Sequence, residues 1–452
     1  MCTRFSGRAF PAGSDARESG GILFGVSRKC RFRSPLRVLL ALCAIVTAAQ
    51  LRASRASLAS PVTPSSLLAG QFSGCLPFAQ FLARVAAAPD PAGKTKVVDE
   101  FMACVQTQST PLVEKGTKDR IGRAIFIYRG PATLVALAGD MNGWTPNEAF
   151  TQVSGTNLFY RADDFEMDAR LDYKFVLNDK QWIFDPWNPR RITGGFGPNS
   201  YFAMPDYSPP PELEPGPSLR HGTIEEFSFA SRILDNERAA KVYLPAGYVG
   251  SRERYKTLYV QDGFEYLNLG KINEIVDTMI QRNEIPPILM VMVPPLDRNK
   301  EYFANADFAR AFATELVPAI DAKYRTKTDA ASRAVLGSSL GGLIALMVAG
   351  QYPQVFGNCA AQSSAVFADT DLEKLITAPK SELKFHLDVG TYELNVSKFD
   401  LLAGNRRLRD FLQSRGYAVD YHEVHEGHSW GNWPARIPET LRYFWALPRK
   451  GK

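Results

Sequence analysis

A serine hydroxyl attacks a carbonyl only when a neighbouring base takes its proton and an acid fixes the tautomer of that base. One stretch offers such a serine, Gly337-Ser338-Ser339-Leu340-Gly341. It follows the pattern G-x-S-x-G, with apolar Ala334 to Leu336 before it and helix-competent Leu343 to Gln351 after it. Strand, sharp turn and helix is the context that stands a serine hydroxyl at the top of a sheet. Gly337 and Gly341 leave room around a strained Ser339, while Gly342 and Ala345 let the helix pack closely. Ser339 is therefore the candidate nucleophile, against the plainer reading of a glycine-rich turn.

The base is sought among five histidines. His428 stands in Glu426-Gly427-His428-Ser429-Trp430-Gly431, on a loop after the last expected strand, where Gly427 frees the backbone and Trp430 can wall a pocket. His422 and His425 compete from within and at the edge of that strand, whereas His221 falls in a proline-rich stretch and His386 inside another strand. Chain order then asks for an acid between serine and histidine. Leu387-Asp388-Val389-Gly390-Thr391-Tyr392-Glu393 makes Glu393 the candidate, with Asp388 and Asp400 as alternatives. Tetrahedral acyl transfer also needs donors for an oxyanion. The N–H of Leu340 is one, and the second is expected within the turn Gln261-Asp262-Gly263-Phe264, where Asp262 as a metal ligand is the lesser use. Arg298 and Tyr302 follow a strand at the same rim, and Arg298 either clamps an anionic group of the substrate or pairs with an acidic neighbour. No Cys/His spacing has the form of a zinc site, and no cofactor or metal is implied.

These residues need a frame. Strands are expected at Tyr255 to Val260, Ile288 to Val293, Ala334 to Leu336, Leu383 to Val389 and Val419 to Val424. Helices alternate with them at Gly270 to Gln281, Phe308 to Tyr324 with a kink at Pro318, Leu343 to Gln351, Asn405 to Ser414 and Pro438 to Ala446. Such alternation predicts an α/β fold with a mostly parallel sheet covered on both faces, carrying its chemistry at the carboxyl ends of the strands. Upstream, Ala124 to Tyr128, Ala132 to Ala138, Leu158 to Arg161 and Leu171 to Leu177 are strand-like runs separated by turn signals, which predicts a small immunoglobulin-like β-sandwich. Its Trp144, Trp182 and Trp187 either stack on a sugar or aromatic ligand or fill the core. The expected organisation is a leader over 1–49, an N-terminal arm with short helices over 50–109, the sandwich over 110–207, a proline-rich linker over 208–222 and the α/β domain over 223–452.

The chain has 452 residues and a formal charge of +6, yet eight bases and two acids within the first 49 residues account for that whole excess. The basic balance thus belongs to a leader and excludes a positive body for nucleic acid. Arg28 to Arg37 is a basic n-region, Val38 to Ala49 an apolar stretch too short to span a bilayer, and Thr47-Ala48-Ala49 offers small residues for cleavage. A periplasmic or secreted protein is expected, with a true start near Val26. In an oxidising compartment Cys75 and Cys104 can bridge, while Cys359 reads as a small buried side chain.

On these residues the C-terminal region resembles the esterase D-like branch of the α/β-hydrolases, which includes enterochelin (enterobactin) esterases and feruloyl or acetyl-xylan esterases. The marks are Arg238 to Tyr248 (RAAKVYLPAGY), Tyr259 to Gly263 (YVQDG), Asp297 to Tyr302 (DRNKEY), Glu315 to Pro318 (ELVP), Gly337 to Gly342 (GSSLGG), Gly390 to Glu393 (GTYE) and Gly427 to Trp430 (GHSW). The resemblance implies a serine carboxylic-ester hydrolase with Ser339, Glu393 and His428 as its triad. Glu426 departs from the family pattern, where glycine is frequent. Upstream, Thr110 to Glu114 (TPLVE), Phe126 to Arg129 (FIYR), Tyr173 to Val176 (YKFV) and Asp185 to Arg191 (DPWNPRR) resemble the N-terminal domain of enterochelin esterase-like proteins. Gly139 to Trp144 (GDMNGW) is similar to early-set and glycogen-binding modules. Siderophore trilactones and plant-wall hydroxycinnamoyl or acetyl esters are the substrate classes implied, with a glycan contact by the sandwich as a further partner. Mycolyl-type transfer shares the chemistry, and a non-catalytic carbohydrate-binding or scaffold protein is the opposing class.

Overall fold

The computed structural model describes residues 72–448 apart from 117, 195–196, 378–381 and 397–398. The expected leader, with Cys2, Cys30 and Cys43, and the beginning of the arm lie outside the described residues. Among the described residues the arm has two helices, Phe78–Ala87 and Pro91–Thr107, tied by a Cys75–Cys104 disulfide. The second helix starts where Asp90 accepts the Gly93 N–H at 2.7 Å and Pro91 fills the first turn, a position that needs no N–H donor.

Nine strands follow, β1 (Leu112–Lys115), β2 (Ile121–Arg129), β3 (Val135–Gly139), β4 (Thr151–Gln152), β5 (Leu158–Glu166), β6 (Arg170–Leu177), β7 (Gln181–Ile183), β8 (Arg191–Gly194) and β9 (Gly197–Ala203). One antiparallel sheet runs β1-β2-β5-β4, and β6 gathers β3, β7 and β9 around it. Strand alternation explains how the first sheet is covered on both faces. Phe126 and Tyr128 of β2 pack inward with Phe165, Tyr173, Phe175 and Phe202, whereas Ile125 and Ile127 pack outward against Phe81, Phe101 and Val105 of the arm.

The rest of the chain builds a larger sheet from β10 (Thr223–Ser231), β11 (Asn236–Leu244), β12 (Lys256–Gln261), β13 (Ile288–Val293), β14 (Arg333–Ser338), β15 (Asn358–Gln362) and β16 (Lys384–Tyr392). A short antiparallel pair, β17 (Asn395–Val396) with β18 (Phe399–Asp400), precedes its last strand, β19 (Ala418–Gly427). The order is β10-β11-β13-β12-β14-β15-β16-β19, parallel from β13 onward. Strand order reverses around β12, so the loops after β12 and β14 open beside each other, the place where such sheets hold ligands. The sheet then continues into the N-terminal region, because Glu426 of β19 pairs with Arg170 of β6.

The helix expected from Phe308 to Tyr324 is divided. Ala306–Ala311 and Val317–Lys323 are α-helical, and a π-turn over Phe312–Leu316 separates them just ahead of Pro318. The proline ring and its missing N–H account for the break. The proline-rich segment packs onto the α/β region, with Glu212 buried against Arg442 and the Gly222 N–H donated to Asp277 at 3.0 Å. Among the described residues no helix is long and apolar enough to cross a membrane.

Candidate functional site

Ser339 sits between β14 and the helix Leu340–Gln351 with φ 57° and ψ −122°, a conformation that L-residues hold only when their surroundings impose it. Its N–H donates to the Gln362 carbonyl at 2.9 Å, and its own carbonyl accepts the N–H groups of Leu343 and Ala365. A Cβ on Gly337 would lie 2.1 Å from the Gly341 carbonyl oxygen, so the turn closes this tightly only with glycine there. The helix behind Ser339 is buried on every side, which fixes the turn against the sheet.

His428 follows β19 and Glu393 follows β16, and the two loops converge on the serine. His428 Nε2 is 2.9 Å from Ser339 Oγ, and His428 Nδ1 is 2.5 Å from Glu393 Oε2. The Glu393 side chain is 1% exposed, and its Oε1 accepts the Gly390 N–H at 3.2 Å. Burial resists ionisation of that carboxyl. The adjoining His428, hydrogen bonds from His428 and Ser363, and the Arg436 charge outweigh burial and hold the Glu393 pKa below the ordinary carboxylate range.

The competing residues are engaged elsewhere. Asp388 accepts from Arg436 at 2.8 Å and from Gln362 at 3.2 Å. Asp400 caps the helix Leu401–Ser414 by accepting the Ala403 N–H at 2.8 Å. His425 Nδ1 lies 2.6 Å from Asp168, His422 Nε2 lies 3.0 Å from Asp420, and His221 pairs with Asp277.

On the other side of Ser339, the Leu340 N–H opens its helix. Gln261 ends β12 and is fully buried, while the Asp262 N–H donates to the Tyr302 hydroxyl at 3.0 Å. The Asp262 carbonyl takes the N–H groups of Glu265 and Tyr266, so Gly263 and Phe264 supply the first-turn N–H groups of the next helix.

Arg298 is not a free cation. Its Nε and Nη2 form a two-pronged pair with the Asp262 carboxylate at 2.8–3.1 Å, and Nη2 lies 3.5 Å from the Ser338 carbonyl. Tyr302 is fully buried beneath the same loop, and both side chains therefore brace the Asp262 turn. Trp430 is 8% exposed and packs edge-on against Tyr266 and Trp433. The ring touching the imidazole is Trp433, edge-on with centroids 5.0 Å apart. Its place in the sequence, five residues after His428, gives no hint of that contact.

A second group missed in the sequence comes from the N-terminal region. Arg170, with no exposed side-chain surface, donates from Nη1 to Asp172 at 2.7 Å and to Asn432 at 2.6 Å, and Asn432 in turn donates to the Gly427 carbonyl at 3.1 Å. Asp140, in the Gly139 to Trp144 motif, accepts the Asp172 N–H at 2.8 Å and Trp144 Nε1 at 3.1 Å. Burial, then the neighbouring Asp172 charge, raises the Asp140 pKa well above the carboxylate range. A Cβ at Gly427 would lie 2.1 Å from the Asp140 carboxyl carbon, so Asp140 closes directly over the backbone of the histidine loop. Glu426 points inward to Arg436 at 2.7 Å, and neither side chain reaches the rim. Trp144, Trp182 and Trp187 are all partly buried, Trp182 against Ala136, Ala138 and Val176 and Trp187 against the arm.

A family model described as a putative esterase matches residues 231–444. An uncharacterized protein of Bacillus subtilis (strain 168), YjcH, is 30% identical over 239 residues, which cover 49% of this chain and 98% of that relative. An endo-1,4-beta-xylanase/feruloyl esterase of Xylanibacter ruminicola is 30% identical over 169 residues, 34% of this chain and 23% of the relative. The crystal structure of the enterobactin esterase FES from Shigella flexneri, in the presence of enterobactin, superposes with a TM-score of 0.62 at 21% identity, covering 76% of this chain and 97% of that one. That likeness includes the N-terminal antiparallel region as well as the central sheet.

Proposed function

From its membership of the esterase family of α/β-hydrolases, we propose that this chain is a serine carboxylic-ester hydrolase working through Ser339, His428 and Glu393. The observation that carries the reading is the unbroken run from Ser339 Oγ through His428 to Glu393, at 2.9 and 2.5 Å. Ser339 Oγ attacks the ester carbonyl carbon while His428 Nε2 takes its proton, and Glu393 holds the imidazole with Nδ1–H toward itself. The oxyanion is received by the Leu340 N–H and the first-turn N–H groups of Gly263 and Phe264. Collapse expels the alcohol, which leaves with the proton from His428. Water activated by the same imidazole then hydrolyses the acyl-enzyme and restores the serine.

The substrate we assign is an enterobactin-type ester. The two-part architecture shared with the enterobactin esterase supports it, whereas the feruloyl-esterase relative matches over 169 residues of the chain. The basic and apolar stretch from Arg28 to Ala49, together with the Cys75–Cys104 disulfide, supports a periplasmic or secreted location.

The test compares the purified protein with Ser339→Ala on enterobactin, its ferric complex, methyl ferulate and acetylated xylan, alongside labelling by a fluorophosphonate. Expected are serine-dependent hydrolysis of enterobactin and loss of labelling in the variant. Serine-dependent cleavage confined to the ferulate or the xylan would move the protein to the plant-wall branch. Absence of both turnover and labelling would leave a non-catalytic binding protein.

A further inference from the structure

At the opposite ends of β16 and β19 from Glu393 and His428 lies a second cluster of ligating side chains. The parallel register sets His386 beside Asp420 and Asp388 beside His422, and the period-two alternation of strands puts all four on one face of the sheet. The C-terminal helix Ile437–Trp445 covers that face, with the Tyr443 ring 5.9 Å from the His386 ring and Glu439 reaching His422. His386 Nδ1 is 2.8 Å from one Asp420 oxygen, and His422 Nε2 is 3.0 Å from the other. One ligating atom from each of His386, Asp420 and His422 falls within 4.8 Å of the other two. Glu439 Oε1 lies 3.7 Å from His422 Nε2.

We propose that His386, Asp420 and His422, completed by Glu439, form a structural site for a first-row divalent cation of the zinc type. The donor chemistry selects the metal. Two imidazoles with carboxylates suit zinc and its neighbours, whereas calcium and magnesium take mostly oxygen ligands. Metal–ligand bonds of about 2.0–2.2 Å in a tetrahedron put ligand atoms roughly 3.3 Å apart. The His386–Asp420 and His422–Asp420 separations of 2.8 and 3.0 Å lie near that value; Glu439, 3.7 Å from His422 and outside the trio gathered within 4.8 Å, is the exposed side chain that must swing in, with the partly exposed His422 adjusting beside it. Two neutral imidazoles and two carboxylates also balance a divalent charge.

The surroundings favour such an ion. Asp388 stands 3.9 Å from His386 Nε2, placed to orient the ring behind its ligating nitrogen. A cleft of about 550 Å³ bordered by Asp420, Glu439 and Tyr443 gives access from solvent. Arg442 also borders the cleft, but its guanidinium is engaged by Glu212 and Glu284. His386 lies 34 residues before Asp420, on the neighbouring strand, and Glu439 on the covering helix, which is why no local Cys/His spacing announces the site.

The experiment uses the full chain, freed of any affinity tag and stripped with a chelator, titrated with zinc against a chromophoric competitor and with cobalt for visible absorption. One equivalent of zinc should bind, a four-coordinate cobalt spectrum should appear, and the thermal midpoint should rise with zinc. His422→Ala and Asp420→Asn should each weaken binding by about 100-fold while keeping the apo fold by circular dichroism. His425→Ala, which alters a separate pair with Asp168, should bind as the parent does. Absence of saturable uptake, uptake unchanged in His422→Ala, or uptake lost in His425→Ala instead would each overturn the proposal.

Discussion

Replacing Glu393 by glutamine tests which carboxylate serves His428, because its effect can be set against the same neutralisation at Asp388. The Glu393 carboxylate is 1% exposed and spends one oxygen on His428 and the other on the Gly390 N–H. Glutamine keeps the volume but offers one oxygen and an NH₂, so one of the two donors is left facing another donor. During acyl transfer the imidazole becomes charged. Opposite charges about 4 Å apart at an effective dielectric constant of about 20 attract by about 4 kcal/mol, which is about a thousandfold in rate. Glu393→Gln should therefore lower kcat by about 10³ with little change in KM, the signature of an interaction made in the transition state. Asp388→Asn leaves the imidazole pair intact, and Arg436 keeps Glu426 as a partner at 2.7 Å. Its kcat should stay within about tenfold of the parent. Steady-state kinetics of both variants on one ester, with folding checked by circular dichroism, provides the comparison. A thousandfold loss in Asp388→Asn with Glu393→Gln nearly unaffected would refute the assignment and make Asp388 the acid.

Gly427→Ala drives a methyl group to 2.1 Å from the Asp140 carboxyl carbon, one residue before His428. It should cut kcat by about 5- to 150-fold, the equivalent of about the 1–3 kcal/mol of an overpacked core, and Asp140→Ala in the same chain should recover part of the loss; equal kinetics in all three proteins would contradict the close approach. Asp185 is fully buried, and desolvation raises its pKa from 3.8 to about 6 against the hydrogen bonds it accepts. Its folded pKa lies above the unfolded one, so the folded state holds the extra proton between those values and stability falls as pH rises across that window, by about 3 kcal/mol in all. Denaturant melts of Asp185→Asn from pH 4 to 6.5 should show this decline flattened relative to the parent, and an unchanged slope would refute it.

Much of the α/β region is legible because its strands are apolar runs of ordinary length. Ile288–Val293 appears with the expected bounds, and the turn around Ser339 carries its conformation in its glycines. The strand β15 escapes notice, since Asn358-Cys359-Ala360-Ala361-Gln362 contains no β-branched or aromatic residue. It is a strand because β14 and β16 flank it in the sheet interior, a decision made by tertiary pairing. Ser339, Glu393 and His428 are readable because chain order and loop position carry their meaning. The states of Arg298 and Tyr302 are not. A rim arginine and tyrosine look alike in sequence whether they meet a substrate or hold a neighbouring turn, and here Asp262 takes both.

The N-terminal strands acquire a meaning that their sequence does not carry. Read as a sandwich ahead of a proline-rich linker, they suggest an appended module with aromatic rings for a ligand. Yet β6 is hydrogen-bonded to β19, and Arg170 and Asp140 press on the backbone from Gly427 to Asn432. Burying an arginine with no exposed side-chain surface requires several kcal/mol of compensation. Asp172, Asn432 and the Tyr201 ring 4.4 Å away contribute to it, and two of those three belong to the N-terminal strands. The remaining partner, Asn432, is the residue that also holds the Gly427 carbonyl. Nη1 of Arg170 therefore finds both of its partners only when the histidine loop packs against both parts of the chain, while Nε and Nη2 are buried without a hydrogen bond. The geometry of His428 is in this sense set jointly by strands more than two hundred residues apart in sequence, which accounts for the N-terminal region and the central sheet forming one continuous body.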